Sequence, residues 1–138
     1  MTERDVQREV FNLLKLINEK NIRRLPYNDD AKDLATQMRN DTIFTSITGK
    51  DLLRQNMKYE SHLNNQHDQH IIDLATDIFW NTRLSNLQRN QFTNLANDAN
   101  VINEIHFQAS NDTHFRMSQL YNHQQGTDND IFNGIRFY

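Results

Sequence analysis

The chain has 138 residues, a formal net charge of -3 and no cysteine, so one domain is expected and disulfides, Cys-based zinc sites and iron–sulfur clusters are excluded. Hydrophobic residues make up 36%, below the roughly 45–50% of an average globular chain. That implies a thin core, or one completed against a partner. No apolar run approaches the roughly 18 residues of a spanning helix, and the charged opening Thr2-Glu3-Arg4-Asp5 lacks the apolar stretch of a secretory signal. A soluble protein is expected, intracellular, in the cytoplasm or nucleus.

Asn occurs 19 times and Gln 11 times, dispersed rather than in tracts. Asn competes with the backbone for hydrogen bonds and is a mediocre helix former, so any helices here depend on packing more than on propensity.

Thr2 to Lys20 reads as a first helix. Thr2 and Asp5 form a capping-box pattern, Val6, Val10, Leu13, Leu14 and Ile17 make an apolar stripe, and Asn21 is a candidate C-cap. Pro26, the sole proline, biases Leu25 away from helix. Asp29 or Asp30 can cap a shorter helix to about Arg39, with Ala31, Leu34, Ala35 and Met38 on its apolar side. The segment Thr42-Ile43-Phe44 reads as a short helix or irregular stretch, ended by Gly49.

A third helix fits Lys50 to Leu63, with Leu52, Leu53, Asn56, Tyr59 and Leu63 on one side. The fourth runs from about Gln66 to Asn81 through Ile71, Leu74, Ala75, Ile78 and Phe79. It is the most apolar of the helices and is expected at the centre of the bundle. Ser85 then caps the longest pattern in the chain. From Ser85 to about Tyr121 there is no Pro or Gly, and Leu87, Phe92, Leu95, Ala99, Ile102, Ile105, Ala109 and Leu120 share one helical face. About 37 residues of helix would span roughly 55 Å, longer than a compact domain of this size. Ser110-Asn111-Asp112 offers capping residues in mid-pattern, so a break or kink near Asn111 is expected; the alternative is a continuous, projecting arm.

The expected fold is therefore all-α: a single-domain bundle of about five to six helices with one long C-terminal helix, spanning residues 1–126. Residues 127–138 form an apolar tail, docked on the bundle or on a partner. Ile131, Phe132, Ile135, Phe137 and Tyr138 flank an Asn133-Gly134 turn signal and are the candidate partner-binding residues.

Chemistry is sparsely signalled. His62, His67 and His70 fall within nine residues, followed by Asp73, and are weak candidates for a metal site; the polar surroundings read better as an exposed helix junction, and no metal or cofactor is assigned. His106 lies on the apolar stripe and reads as a satisfied core histidine. There is no Gly-x-Ser-x-Gly and no P-loop: Thr48-Gly49-Lys50 is followed by Asp51 where Ser or Thr should stand. No catalytic residue or small-molecule substrate is evident. Arg23, Arg24 and Tyr27 could seat phosphate and stack on a base, but interleaved acids cancel the basic field that nucleic-acid binding needs. The expectation is a non-enzymatic protein–protein interaction module: an adaptor, inhibitor or complex subunit, with a protein partner or self-association. The alternative is a nucleic-acid-associated protein of a viral or chromatin-like assembly, using the N-terminal Arg and Lys residues.

Overall fold

In the computed structural model, residues 2–41 and 46–123 are described, the last fourteen of these, 110–123, by their backbone alone. Six α-helices account for most of them: α1 (Glu3–Leu16), α2 (Glu19–Arg23), α3 (Ala31–Asn40), α4 (Gly49–Leu63), α5 (Gln69–Ile78) and α6 (Asn86–His123). A 3-10 turn at Pro26–Asp29 precedes α3, and a π turn at Phe79–Arg83 follows α5. The fold is the all-α bundle with a long C-terminal helix that the periodicity predicts. The Thr42-Ile43-Phe44 segment and the 127–138 tail lie outside the described residues.

α4 is the central helix, packing against α6 on one side, α5 on another and α2 on a third. α3 lies against α6, and α1 against α5. The expectation that the fourth predicted helix is central is thus corrected. Its greater apolarity reflects packing against both α4 and α1, whereas α4 reaches three neighbours with a more polar sequence. It does so by burying Glu60 and Ser61 alongside Leu52, Leu53 and Met57. Asn56, Tyr59 and Leu63, expected on the buried side of α4, lie elsewhere. Asn56 is only half-buried, and Tyr59 and Leu63 are exposed.

The first predicted helix divides in two. Thr2 and Asp5 do form the capping box, and Val10, Leu13, Leu14 and Ile17 are buried as the stripe requires. The helix stops at Leu16, where Ile17 turns extended and Asn18 caps α2 through hydrogen bonds from the Lys20 and Asn21 backbone. A distant residue explains the break. The buried Glu60 carboxylate accepts the Asn18 backbone N–H at 3.2 Å and the Asn21 side-chain amide at 3.2 Å. Asn56 of α4 then donates to the carbonyls of Ile22 and Arg24, at 2.9 and 2.8 Å, closing the other end of α2. Asn21, expected as a C-cap, instead bridges α2 to α4.

Gly49 begins a helix rather than ending a segment. Thr48 and Asp51 form a second capping box. The helix start crosses α6 so closely that a Cβ on Gly49 would sit 2.7 Å from the Thr93 backbone nitrogen and 2.9 Å from its Cα. Only glycine lets the two backbones approach this far. Two turns on, the Asn100 side chain accepts the Ile47 backbone N–H at 3.0 Å and donates to its carbonyl at 2.8 Å. Arg39 donates to Asn103 at 2.6 Å, tying α3 to the same helix.

Ser85 caps α6, accepting the Gln88 backbone N–H while Gln88 returns a bond to the Ser85 N–H. α6 then runs unbroken for 38 residues, about 57 Å at 1.5 Å per residue. No break interrupts the helix near Asn111. Ser, Asn and Asp each cost only about 0.7 kcal/mol or less in a helix interior, too little to stop a helix that has no Pro or Gly. The predicted stripe is buried only in part. Phe92, Leu95, Ala96 and Ala99 are in the core, Ile102 is half-buried, and Ile105 and Phe107 are 50% and 62% exposed. The helix outlasts the bundle that packs on it.

Candidate functional site

A groove of about 810 Å³ lies between α1 and α5. Its walls are built from helix periodicity. Val6, Val10 and Leu14 of α1 face Leu74 and Ile78 of α5, and Phe11 stands on the lip. These elements meet here because each helix is apolar over a wider arc than its neighbour covers. Val10 and Leu14 are buried, but Phe11 is 57% exposed and Ile78 41% exposed. Sequence reasoning finds Val6, Val10, Leu14, Leu74 and Ile78 as stripe residues. It misses Phe11, which falls beside the α1 stripe and carries no distinguishing local signal.

Charged groups of both signs line this groove. At one end, the π turn brings Arg83 back onto α1, where its guanidinium donates to the Leu14 carbonyl at 3.2 Å and to Glu19 at 2.8 Å. Arg23 pairs with the same Glu19 at 2.8 Å and donates to the Arg83 carbonyl. Both guanidinium carbons lie near the buried Phe79 ring, at 5.5 and 5.9 Å from its centroid. Two cations thus share one carboxylate, leaving this end formally one charge positive. Glu3, Gln7 and His70 also line the groove, Glu3 standing eleven residues before Leu14 on α1. The π turn has no sequence signature. Such turns insert a residue into a helix and recur at functional sites; this one places Arg83 at the groove mouth.

Of the residues proposed for nucleic acid, the structure separates Arg23 from the other two. Arg24 and Tyr27 line a different cavity of about 350 Å³, together with Leu25, Pro26, Asn28, Tyr59 and the buried Glu60. The backbone here is unusual. Tyr27, Asn28 and Asp29 have φ of 55°, 53° and 63°, a left-handed conformation that costs roughly 1–2 kcal/mol per residue. Packing of the Tyr27 ring against the core offsets part of it. Burial, with the Asp41 carboxylate adding to it, pushes the Tyr27 hydroxyl above its ordinary pKa. Asp30, rather than Asp29, caps α3.

The three histidines do not converge. α4 ends at Leu63, and Asn65 adopts a left-handed φ of 62°, so no helix continues through Asn64-Asn65. The His62 and His67 rings meet at a tilt of 48°, 4.6 Å between centroids, while His70 faces the α1–α5 groove. Asp68 is committed to capping α5. Among the described residues no group of three His, Cys, Asp or Glu is placed to hold a metal ion. His106, expected in the core, is exposed, because α6 has left the bundle by that point. No described helix is long and apolar enough to cross a membrane. The partner-binding candidates Ile131, Phe132, Ile135, Phe137 and Tyr138 lie outside the described residues.

Comparison with protein-family models, with curated proteins and with solved structures finds no match. The functional reading therefore rests on the geometry of this chain.

Proposed function

We propose that this chain is a non-enzymatic protein–protein interaction module whose docking surface is the α1–α5 groove. The observation that carries this reading is an apolar concavity of about 810 Å³ with large side chains, Phe11 and Ile78, left partly in water. Burying apolar surface is worth about 25 cal/mol per Å², and a groove between two helices is a common seat for a peptide or helix. The projecting half of α6, with Ile105 and Phe107 exposed, offers a second contact surface. The test replaces Phe11 with photoreactive p-benzoylphenylalanine and, as a control, Lys58 on the exposed side of α4. Irradiation should give a discrete protein adduct at position 11 and none at position 58. Equal labelling at both positions sinks the reading.

A second reading, nucleic-acid association, draws on the cavity that brings Arg24, Tyr27 and Tyr59 together. The Glu60 carboxylate in the same cavity opposes phosphate, which places this reading behind the first. Oligonucleotide binding that weakens steeply with salt and is lost in Arg24→Ala would reverse the order.

A further inference from the structure

The groove and the tail match in chemistry, in length and in charge direction. The groove is apolar along its walls, with the Arg83 guanidinium beside Leu14 and the Glu3 carboxylate at the start of α1. The segment Asp128-Asn129-Asp130-Ile131-Phe132-Asn133-Gly134-Ile135-Arg136-Phe137-Tyr138 has two carboxylates, then five large apolar residues with one arginine among the last three. From Leu14, which Arg83 touches, back to Glu3 is eleven residues of helix, about 17 Å. From Asp130 to Arg136 is six residues of chain, about 20 Å when extended. With the carboxylates at Arg83 and Arg136 at Glu3, Ile131, Phe132 and Ile135 fall between, along Val6, Val10, Phe11 and Leu14, and Phe137 and Tyr138 lie past Glu3. Reversing the segment sets its carboxylates against Glu3.

The source of that segment follows from α6. Asn86 lies three residues after Arg83, so α6 starts close to the Arg83 end of the groove. His123, at the far end of the unbroken helix, is about 55 Å from Asn86. Seven residues, from His123 to Asp130, span at most about 25 Å. A chain cannot deliver its own Asp130 to its own Arg83.

We infer that the α1–α5 groove binds residues Asp128–Tyr138 of a second copy of this chain, making the module self-associating. This rests on the interaction reading above and names its partner. A long α6 arm then acts as the spacer that carries the segment to its neighbour, closing a dimer if the exchange is reciprocal and an open chain if it is not.

The experiment uses two full-length variants. Phe11→Glu spoils the groove and keeps the segment; Phe132→Asp with Ile135→Asp spoils the segment and keeps the groove. Sedimentation of the unaltered chain should give a mass of at least twice 16.5 kDa, and each variant alone should sediment as a monomer. An equimolar mixture of the two should recover a dimer, since one groove and one segment remain intact. A synthetic peptide of residues 127–138 should bind the segment variant and not Phe11→Glu, which needs no assumption about variant folding beyond unchanged helix content by circular dichroism. Arg136→Glu in the peptide should weaken its binding roughly two- to fivefold, the scale of an exposed ion pair, and Glu3→Lys in the chain should recover it. A monomeric unaltered chain overturns the proposal, as does a mixture that stays monomeric or a peptide that does not bind. If the peptide fails but position 11 still crosslinks to one other protein, the second-copy inference falls and the interaction reading stands. If both fail, both fall.

Discussion

The two halves of α6 share a helix, a polarity and much of a periodic pattern, yet among the described side chains the buried ones all belong to the inner half. From Asn86 to Asn103 the helix buries Phe92, Leu95, Ala96 and Ala99. It receives Gly49 at Thr93, Ile47 at Asn100 and Arg39 at Asn103. From Glu104 to Gln108 every residue is exposed. The backbone hydrogen-bond ladder is the same in both halves, so the ladder alone does not say where the domain ends. Neighbours do. An isolated helix of Asn-rich sequence is marginal in water, and the outer half persists as the continuation of a nucleus already formed by packing.

That contrast makes large and unequal predictions. Phe92 is 1% exposed and meets Trp80 edge-on at 6.3 Å, so Phe92→Ala should cost about 3–5 kcal/mol. Phe107→Ala, fifteen residues along the same helix, should fall within about 0.5 kcal/mol of the parent. Urea unfolding of the two variants measures the difference, and similar values would erase the distinction between core half and arm. Ile102 sits at the boundary, half-buried against the core. Ile102→Asp should cost an intermediate amount, about 1–3 kcal/mol, by placing a carboxylate where the core closes.

The contacts that fix the inner half can be removed one at a time. Gly49→Ala forces a methyl group against the Thr93 backbone, and backbone cannot swing aside as a side chain can. Alanine is otherwise the better helix former by about 1 kcal/mol, so a loss of about 1–3 kcal/mol would show that the crossing, not propensity, chose glycine. A gain in stability would mean the helices separate at little cost. Asn100→Ala removes both bonds to Ile47 and leaves its half-buried backbone groups to water, a loss of about 1–2 kcal/mol in the same unfolding assay.

Much of this architecture is legible in the sequence, and the failures have physical causes. The capping boxes at Thr2 and Ser85 and the cap at Asp30 are local, needing only residues a turn apart, and so are the α1 and inner α6 stripes. Thr48 and Asp51 carry the same box, but Gly49 looks like a stop until Thr93 is seen across from it. The break at Ile17 and Asn18 is set by Glu60, forty-two residues away, and no local pattern reports that. The exposure of Ile105 and His106 is invisible for a related reason: a periodic stripe continues whether or not anything packs on it. The groove is half legible, since its wall residues belong to recognisable stripes. Its openness, and the place of Phe11 and Arg83 on its rim, depend on the α1–α5 packing and the π turn.

The smallest expected effect tests the start of α4, which holds the inner half of α6 through Gly49. Partial burial pushes the Asp51 carboxyl up, but hydrogen bonds from Thr48 and the Arg54 guanidinium outweigh it and hold the pKa below its ordinary value of 3.8. A carboxyl lowered in the folded state stabilises the fold above its unfolded pKa, and that contribution is lost as pH falls through the folded pKa. Thermal melts should therefore lose stability as pH falls below about 4, and Asp51→Asn should flatten part of that loss while lowering the plateau. Arg54 also bonds Asp73 of α5 at 3.1 Å, tying the start of α4 to its neighbour. The decisive reading is local. Amide exchange in acid should quicken first around Gly49–Leu53 and at Thr93–Asn103 on the facing helix, while the exposed residues from Glu104 to Gln108 keep the exchange rates of their neutral-pH state after correction for intrinsic chemistry. Quickening in the outer half alone would mean that the arm, and not the crossing at Gly49, responds to acid.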